Sequence, residues 1–279
     1  MHTNNHLHRR CTVIWLAALV MGATAVQAPA QVGLGLAPMR LELRLSPGGR
    51  QSGALMLSNG SNAKTRIRAE LLDFYVDQTE TPQFGRAWPR EAEYSCRQWL
   101  TINPMELDLE PGGSTLVRYT VDVPKNASER GFHCAAGFTT MSTPDEPSQT
   151  GLKTAVRIVA TFYVVVGNPA VEGRVKDIRL ERISGAEKPG WRAVVVIGNE
   201  SVTHFRPTGE LAVLKADGSL VEAIKFRSIP VLPKREQAFL FPLSTPLDEG
   251  RYTLRARVDL GTNEIQEATA SVMAQARER

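Results

Sequence analysis

Apolar and polar residues alternate with a period of two along most of this chain, and the longest such row covers residues 152–166. Leu152, Val156, Ile158, Ala160, Phe162, Val164 and Val166 form the apolar side, interrupted at Thr154. Lys153, Arg157, Thr161 and Tyr163 fall between them. Successive side chains of a strand point to opposite faces, so this row predicts one long strand half-buried on one side. It is far longer than the usual five or six residues, and it stops at Gly167-Asn168-Pro169. The surplus length marks it as the first candidate for contact with something outside the chain.

Similar rows recur on both sides of that break. Met39, Leu41, Leu43 and Leu45 alternate with Arg40, Glu42 and Arg44 and end at Ser46-Pro47-Gly48-Gly49. Further strands are expected over residues 52–59, 65–76, 99–103, 105–109, 114–123 and 132–141. The polar stretch 77–95 contains Pro82, Gly85 and Pro89 and reads as a long loop. After the break, strands are expected over residues 175–183, 191–199, 209–215, 220–226, 237–241, 251–259 and 265–273. Asp217-Gly218 is a hairpin signal among them. No long amphipathic helix pattern competes. The expected fold is all-β, with two tandem immunoglobulin-like β-sandwich domains over residues 31–168 and 169–279. A single large β-barrel is the alternative, but it gives no reason for the Gly-Asn-Pro joint.

The first thirty residues lie outside this pattern. A polar start ending in Arg9-Arg10 precedes an apolar run from Cys11 to Val26, then Ala28-Pro29-Ala30. That arrangement reads as a cleaved secretory signal peptide, its run being shorter than the roughly 20 residues a membrane span needs. The expected mature protein is therefore exported, without stable membrane insertion. Removing the signal lowers the formal net charge from +4 to +2. The remaining Lys and Arg are scattered, so no nucleic-acid partner is expected.

Cys11 leaves with the signal, and Cys96 and Cys134 remain. An even pair in an oxidising compartment reads as one disulfide, the alternative being two buried thiols. Neither cysteine has a histidine at ligand spacing, so no metal and no cofactor is expected. Reactive groups are sparse. Only His133 and His204 survive processing, and no nucleophile elbow, H-E-x-x-H or phosphate loop is present. The chain is expected to have no catalytic residues and not to be an enzyme.

Several segments together resemble a known family. Leu36-Ala37-Pro38-Met39-Arg40, Ser58-Asn59 and Leu109-Glu110-Pro111-Gly112, followed by Leu116-Val117-Arg118, are similar to the periplasmic PapD-like chaperones of the chaperone–usher pilus pathway. Val123-Pro124 with Ser128-Glu129-Arg130, and Arg157-Ile158 with Phe162-Tyr163, extend the resemblance across roughly residues 34–169. Asn199 and Pro207-Thr208-Gly209 carry it weakly into the second half. The resemblance implies a non-enzymatic periplasmic chaperone that lends its long strand to pilus or surface-fibre subunits, with an outer-membrane usher as a second partner. In that mode backbone groups supply affinity and alternate side chains fill pockets. Leu152, Thr154, Val156 and Ile158 are the implied donor-strand contacts.

The family also grips the subunit carboxylate with two basic residues. One maps to Arg40. The other is a lysine in R-I-K, where this chain reads Arg157-Ile158-Val159, leaving Arg157 as the substitute. Residues 77–95 are longer than the family pattern, which suggests a divergent branch. An exported structural or adhesive β-sandwich protein assembling through the same edge strand is the alternative reading.

Overall fold

The computed structural model describes residues 33–86, 88–141, 155–183, 190–262 and 264–275. The expected signal peptide, Leu152 and Thr154 lie outside the described residues. Residues 31–279 form one compact unit.

Ten strands precede the Gly-Asn-Pro break: β1 (Leu34–Ala37), β2 (Arg40–Leu45), β3 (Arg50–Asn59), β4 (Thr65–Val76), β5 (Pro82–Gly85), β6 (Leu100–Asn103), β7 (Glu106–Leu109), β8 (Ser114–Asp122), β9 (Gly131–Met141) and β10 (Arg157–Val166). They make two sheets. One has the order β1-β3-β8-β6, the other β2-β10-β9-β4-β5, with β7 also paired to β4. Seven strands follow: β11 (Gly173–Ile183), β12 (Gly190–Asn199), β13 (Thr208–Lys215), β14 (Leu220–Lys225), β15 (Glu236–Pro242), β16 (Gly250–Asp259) and β17 (Ile265–Ala274). Their sheets are β11-β12-β15 and β14-β13-β16-β17. Among the described residues there is no α-helix, only short 3₁₀ turns at Ala92–Tyr94 and Arg97–Trp99.

Each half buries its own apolar rows. Leu55, Leu57, Ile67, Val117, Phe138, Phe162 and Val164 belong to the first core, and Val195, Ile197, Leu211, Phe239, Leu254 and Val258 to the second. The period of two is what produces this, because only one face of each strand reaches the inter-sheet space. Cys96 and Cys134 are fully buried and bridged, with Cα atoms 5.2 Å apart across a separation of 38 residues. In the chain-entropy account, closing such a loop contributes about 4 kcal/mol.

One device appears in both halves. Asn59 Nδ2 donates to the carbonyls of Ala63 and Leu109, while its Oδ1 accepts from the Ser61 N–H and hydroxyl. Asn199 does the same with Thr203, Val231 and Ser201. Both side chains are buried where a strand ends, and both tie that end to carbonyls of returning loops.

Three sequence expectations need correction. The strand expected over residues 152–166 begins at Arg157, and Val156 precedes it. The stretch 77–95, expected to be a loop, contains β5 and a 3₁₀ turn. Trp99 closes a second 3₁₀ turn, so the strand expected from residue 99 starts at Leu100.

Candidate functional site: an open strand edge beside an interdomain cleft

β10 is covered on both sides over only part of its length. On one side it runs antiparallel to β9 from Arg157↔Thr139 to Val165↔Gly131. On the other, β2 pairs with it in parallel only from Thr161↔Arg40 to Val166↔Leu45. The Thr161 N–H reaches the Met39 carbonyl at 2.9 Å and the Gly167 N–H reaches Leu45, so odd-numbered residues aim their backbone groups at the β2 side. Even-numbered residues aim at β9, as the Val156 carbonyl does in accepting from the Thr140 N–H. By this alternation the N–H and C=O groups of Arg157 and Val159 point to the open side, and among the described residues no strand pairs them there. Beyond Met39 the chain passes through Pro38 into β1, which belongs to the opposite sheet.

The side chains around this edge differ in their roles. Ile158 packs partly buried against the first core, and Val159 packs against a separate cluster of Leu72, Phe74, Ala135, Tyr163 and Leu232. Val156 is half-buried, with its N–H donating to Thr140 Oγ1 at 3.0 Å. Met39, next to the edge, is 55% exposed.

Leu232 comes from the second sandwich, so that cluster is an interdomain seam. Gly131 allows a close approach there, since a Cβ at this position would lie 2.9 Å from Thr203 Cα, and its N–H donates to the Val202 carbonyl.

Arg40 lies beside this seam. Its Nη1 donates to Ser228 Oγ of the second sandwich at 3.2 Å, and its Nε is 4.0 Å from Glu42 Oε1. Arg206 donates from Nε to the same Glu42 oxygen at 2.9 Å and from Nη1 to the Ser228 carbonyl, while its guanidinium lies 4.6 Å from the Tyr163 ring centre. His204 bonds the other Glu42 oxygen at 2.9 Å. Burial of Glu42 works against its charge, but the bonds from His204 and Arg206 prevail and hold it below the usual carboxylate range. Burial is also the main influence on His204, lowering its pKa against the pull of Glu42. A neutral His204 therefore donates to Glu42 as a hydrogen bond, and the two arginines give this corner a net positive charge.

Arg157 does not join this corner. Its side chain is held by Glu70 at 3.0 Å and by Thr139 Oγ1 at 3.3 Å. In register it lies four residues from the partner of Arg40, roughly 13 Å along the strand. The sequence reading missed Glu42, His204, Arg206 and Ser228 as a group. The alternation Arg40-Glu42-Arg44 was its only local signal, because the other members are more than 160 residues away.

Residues 77–95 form a strap between the two sandwiches. Asp77 Oδ1 accepts from the N–H groups of Thr79 and Thr81 and from the Thr79 hydroxyl. The hydroxyl first, then these amides, bring its pKa down to about 2. The turn so formed carries Glu80 into the second sandwich, where its carboxylate pairs with Arg227 and accepts from the Leu240 N–H at 2.9 Å. Further along, Glu91 is buried between His133 of β9, at 3.0 Å, and Arg235. His133 is thus buried and hydrogen-bonded.

No family model matches the chain, and no curated protein matches it. Solved structures do. The chain is similar to a chaperone–tip adhesin complex of CFA/I fimbriae biogenesis, at 11% identity over 86% of this chain and 99% of that one, with a TM-score of 0.46. It is similar to the E. coli chaperone DraB at 13% identity over 88% and 97%, with a TM-score of 0.40. A chaperone–tip subunit pre-assembly complex, CsuC–CsuE of the archaic Csu pili of Acinetobacter baumannii, gives 10% over 86% and 98%, with a TM-score of 0.42.

Proposed function

We propose that this protein is a periplasmic chaperone that binds pilus or surface-fibre subunits by lending them the open half of β10, and passes them on to an outer-membrane usher. One observation carries the reading: the backbone groups of Arg157 and Val159 face away from β9 at a point that β2 does not reach. A subunit strand laid there gains a ladder partner on one side while the apolar side chains of Val156 and Ile158 meet it. Arg40, half-exposed beside the seam, is the carboxylate anchor in this reading. Arg206, sharing Glu42 with it, supplies the second positive charge in place of the absent lysine.

The test uses proline, which has no N–H. Val159→Pro removes a donor that faces outward and leaves the β9 ladder intact. Ile158→Pro removes one that faces β9. The expected result is that Val159→Pro, which also alters the packing on Leu72 and Leu232, stays folded and melts only slightly lower but no longer co-purifies with subunits from the periplasm. Ile158→Pro melts several degrees lower still. Undiminished capture of subunits by a folded Val159→Pro protein refutes strand lending. If the purified chain captures no subunit and instead forms fibres of its own, the structural reading replaces the chaperone.

A further inference from the structure

A cavity of about 320 Å³ opens between the strap and the second 3₁₀ turn, away from β10. Two half-exposed indoles line it, and each is braced from behind. Trp88 lies on Tyr75 with ring centres 4.5 Å apart, and crosses Gly85 so closely that a Cβ there would come within 2.2 Å of Nε1. Trp99 lies on Phe132 at 4.2 Å. The bridge from Cys96 to β9 fixes the chain between the two walls. Asp73, 3% exposed, also lines the cavity; its Oδ1 accepts from Ser95 Oγ at 2.5 Å. Its Oδ2 faces Arg97 Nε at 3.6 Å, beyond hydrogen-bond reach. Arg97 and Gln98 complete the polar part of the lining.

These groups specify the chemistry of an occupant. Rigid indole faces suit a flat apolar surface. A purely apolar ring would close over the nearly buried Asp73 carboxylate and leave its Oδ2, which Arg97 does not reach, without a donor, which is costly. Because Asp73 and Arg97 offset one another, a charged ligand gains little. What satisfies both walls and polar groups is a neutral ring with C–H faces and hydroxyls at its edge. We propose that the cavity between Trp88 and Trp99 binds a pyranose sugar, with Asp73 accepting from its hydroxyls and Arg97 and Gln98 bonding its ring edge. This site is independent of the strand-lending reading, since none of its residues lies on β10 or β2.

The test is tryptophan fluorescence and saturation-transfer NMR on the mature, oxidised chain. Methyl α-glucopyranoside, methyl α-mannopyranoside and N-acetylglucosamine are titrated separately, with tyrosinamide as the aromatic comparison. Trp191, the other tryptophan beyond residue 30, lies in the second sandwich and supplies a constant background. The expected result is a saturable response to at least one sugar below about 10 mM, a concentration typical of weak specific binding. Asp73→Asn should weaken it about ten-fold, the loss of one bond to a charged group. Gln98→Leu, at an exposed position that leaves the fold unchanged, should weaken it about three-fold. No saturable response to any sugar overturns the proposal, as does a response unchanged in both variants. Saturation by tyrosinamide alone also overturns it and identifies an aromatic side chain as the occupant.

Discussion

At the scale of single residues, Asn199 carries the most structure for its size. Its side chain satisfies the Thr203 and Val231 carbonyls, each at 2.8 Å, and the Ser201 N–H, all inside a buried corner. Asn199→Ala keeps the volume change small but leaves the Ser201 N–H without its nearer acceptor. It also takes one of two bonds from each carbonyl, since Val231 also accepts from the Phe205 N–H and Thr203 from the Ser201 hydroxyl. A buried group that loses its partner costs roughly 1–3 kcal/mol. The expected loss is about 3 kcal/mol, seen in urea melts followed at Trp191, with an unchanged m-value. A loss below about 0.5 kcal/mol would mean that the carbonyls find other partners. Asn59 was visible in the sequence as part of the family resemblance and its counterpart Asn199 only as a weak cue. Their shared role depends on loops returning from elsewhere in the chain, which no local pattern records.

At the scale of elements, the strap is the part the sequence disclosed least. Its polar composition and prolines predict a loop, and its turn is one, yet Glu80 at the tip has φ +63 and a nearly buried carboxylate. A left-handed backbone at a non-glycine residue costs on the order of 1 kcal/mol, and the contacts to Arg227 and Leu240 offset it. Glu80→Ala removes both contacts and retains the strained backbone, so the strap should detach from β15. Hydrogen exchange at Leu240 is expected to accelerate by about ten-fold, the equivalent of one charge-assisted bond, while exchange in β3 and β8 stays constant. Unchanged protection at Leu240 would show that two other bonds, from the Gln78 side chain to the Glu236 carbonyl and from the Gln237 side chain to the Asp77 carbonyl, hold the strap unaided.

The strands were far more legible. Residues 39–45 and 114–123 alternate cleanly, and both form strands whose inward rows are buried. β1 escaped notice because Leu-Gly-Leu-Ala is short and has no polar alternate. The start of β10 was set too early because the alternation continues past the point where pairing with β9 begins.

At the scale of the whole molecule, two buried histidines make acid the natural solvent for separating its parts. His133 is enclosed by Glu91, Asp73 and Phe74, and burial lowers its pKa to about 4. The unfolded chain takes up this proton near pH 6.5, so between pH 6.5 and 4 it binds more protons than the folded state. Stability is therefore greatest above pH 6.5 and falls as the pH drops, by about 3 kcal/mol at pH 4 for this residue alone. His204, also lowered by burial, acts in the same direction at the seam. Urea midpoints measured from pH 7.5 to 4.5 should decline steadily, and His133→Gln should flatten the decline. A midpoint independent of pH would contradict the sign derived from these two sites.

The partial covering of β10 has a mechanical consequence. From Thr161 to Val166 the strand is gripped by β2 and β9 together, whereas from Arg157 to Ala160 only β9 holds it. A force applied along the strand from an attached load meets bonds on both flanks of the gripped part at once, in shear. A force applied sideways at the free part meets one row and opens it bond by bond. A load riding on this edge is thus carried firmly along the strand axis and released easily by a lateral peel.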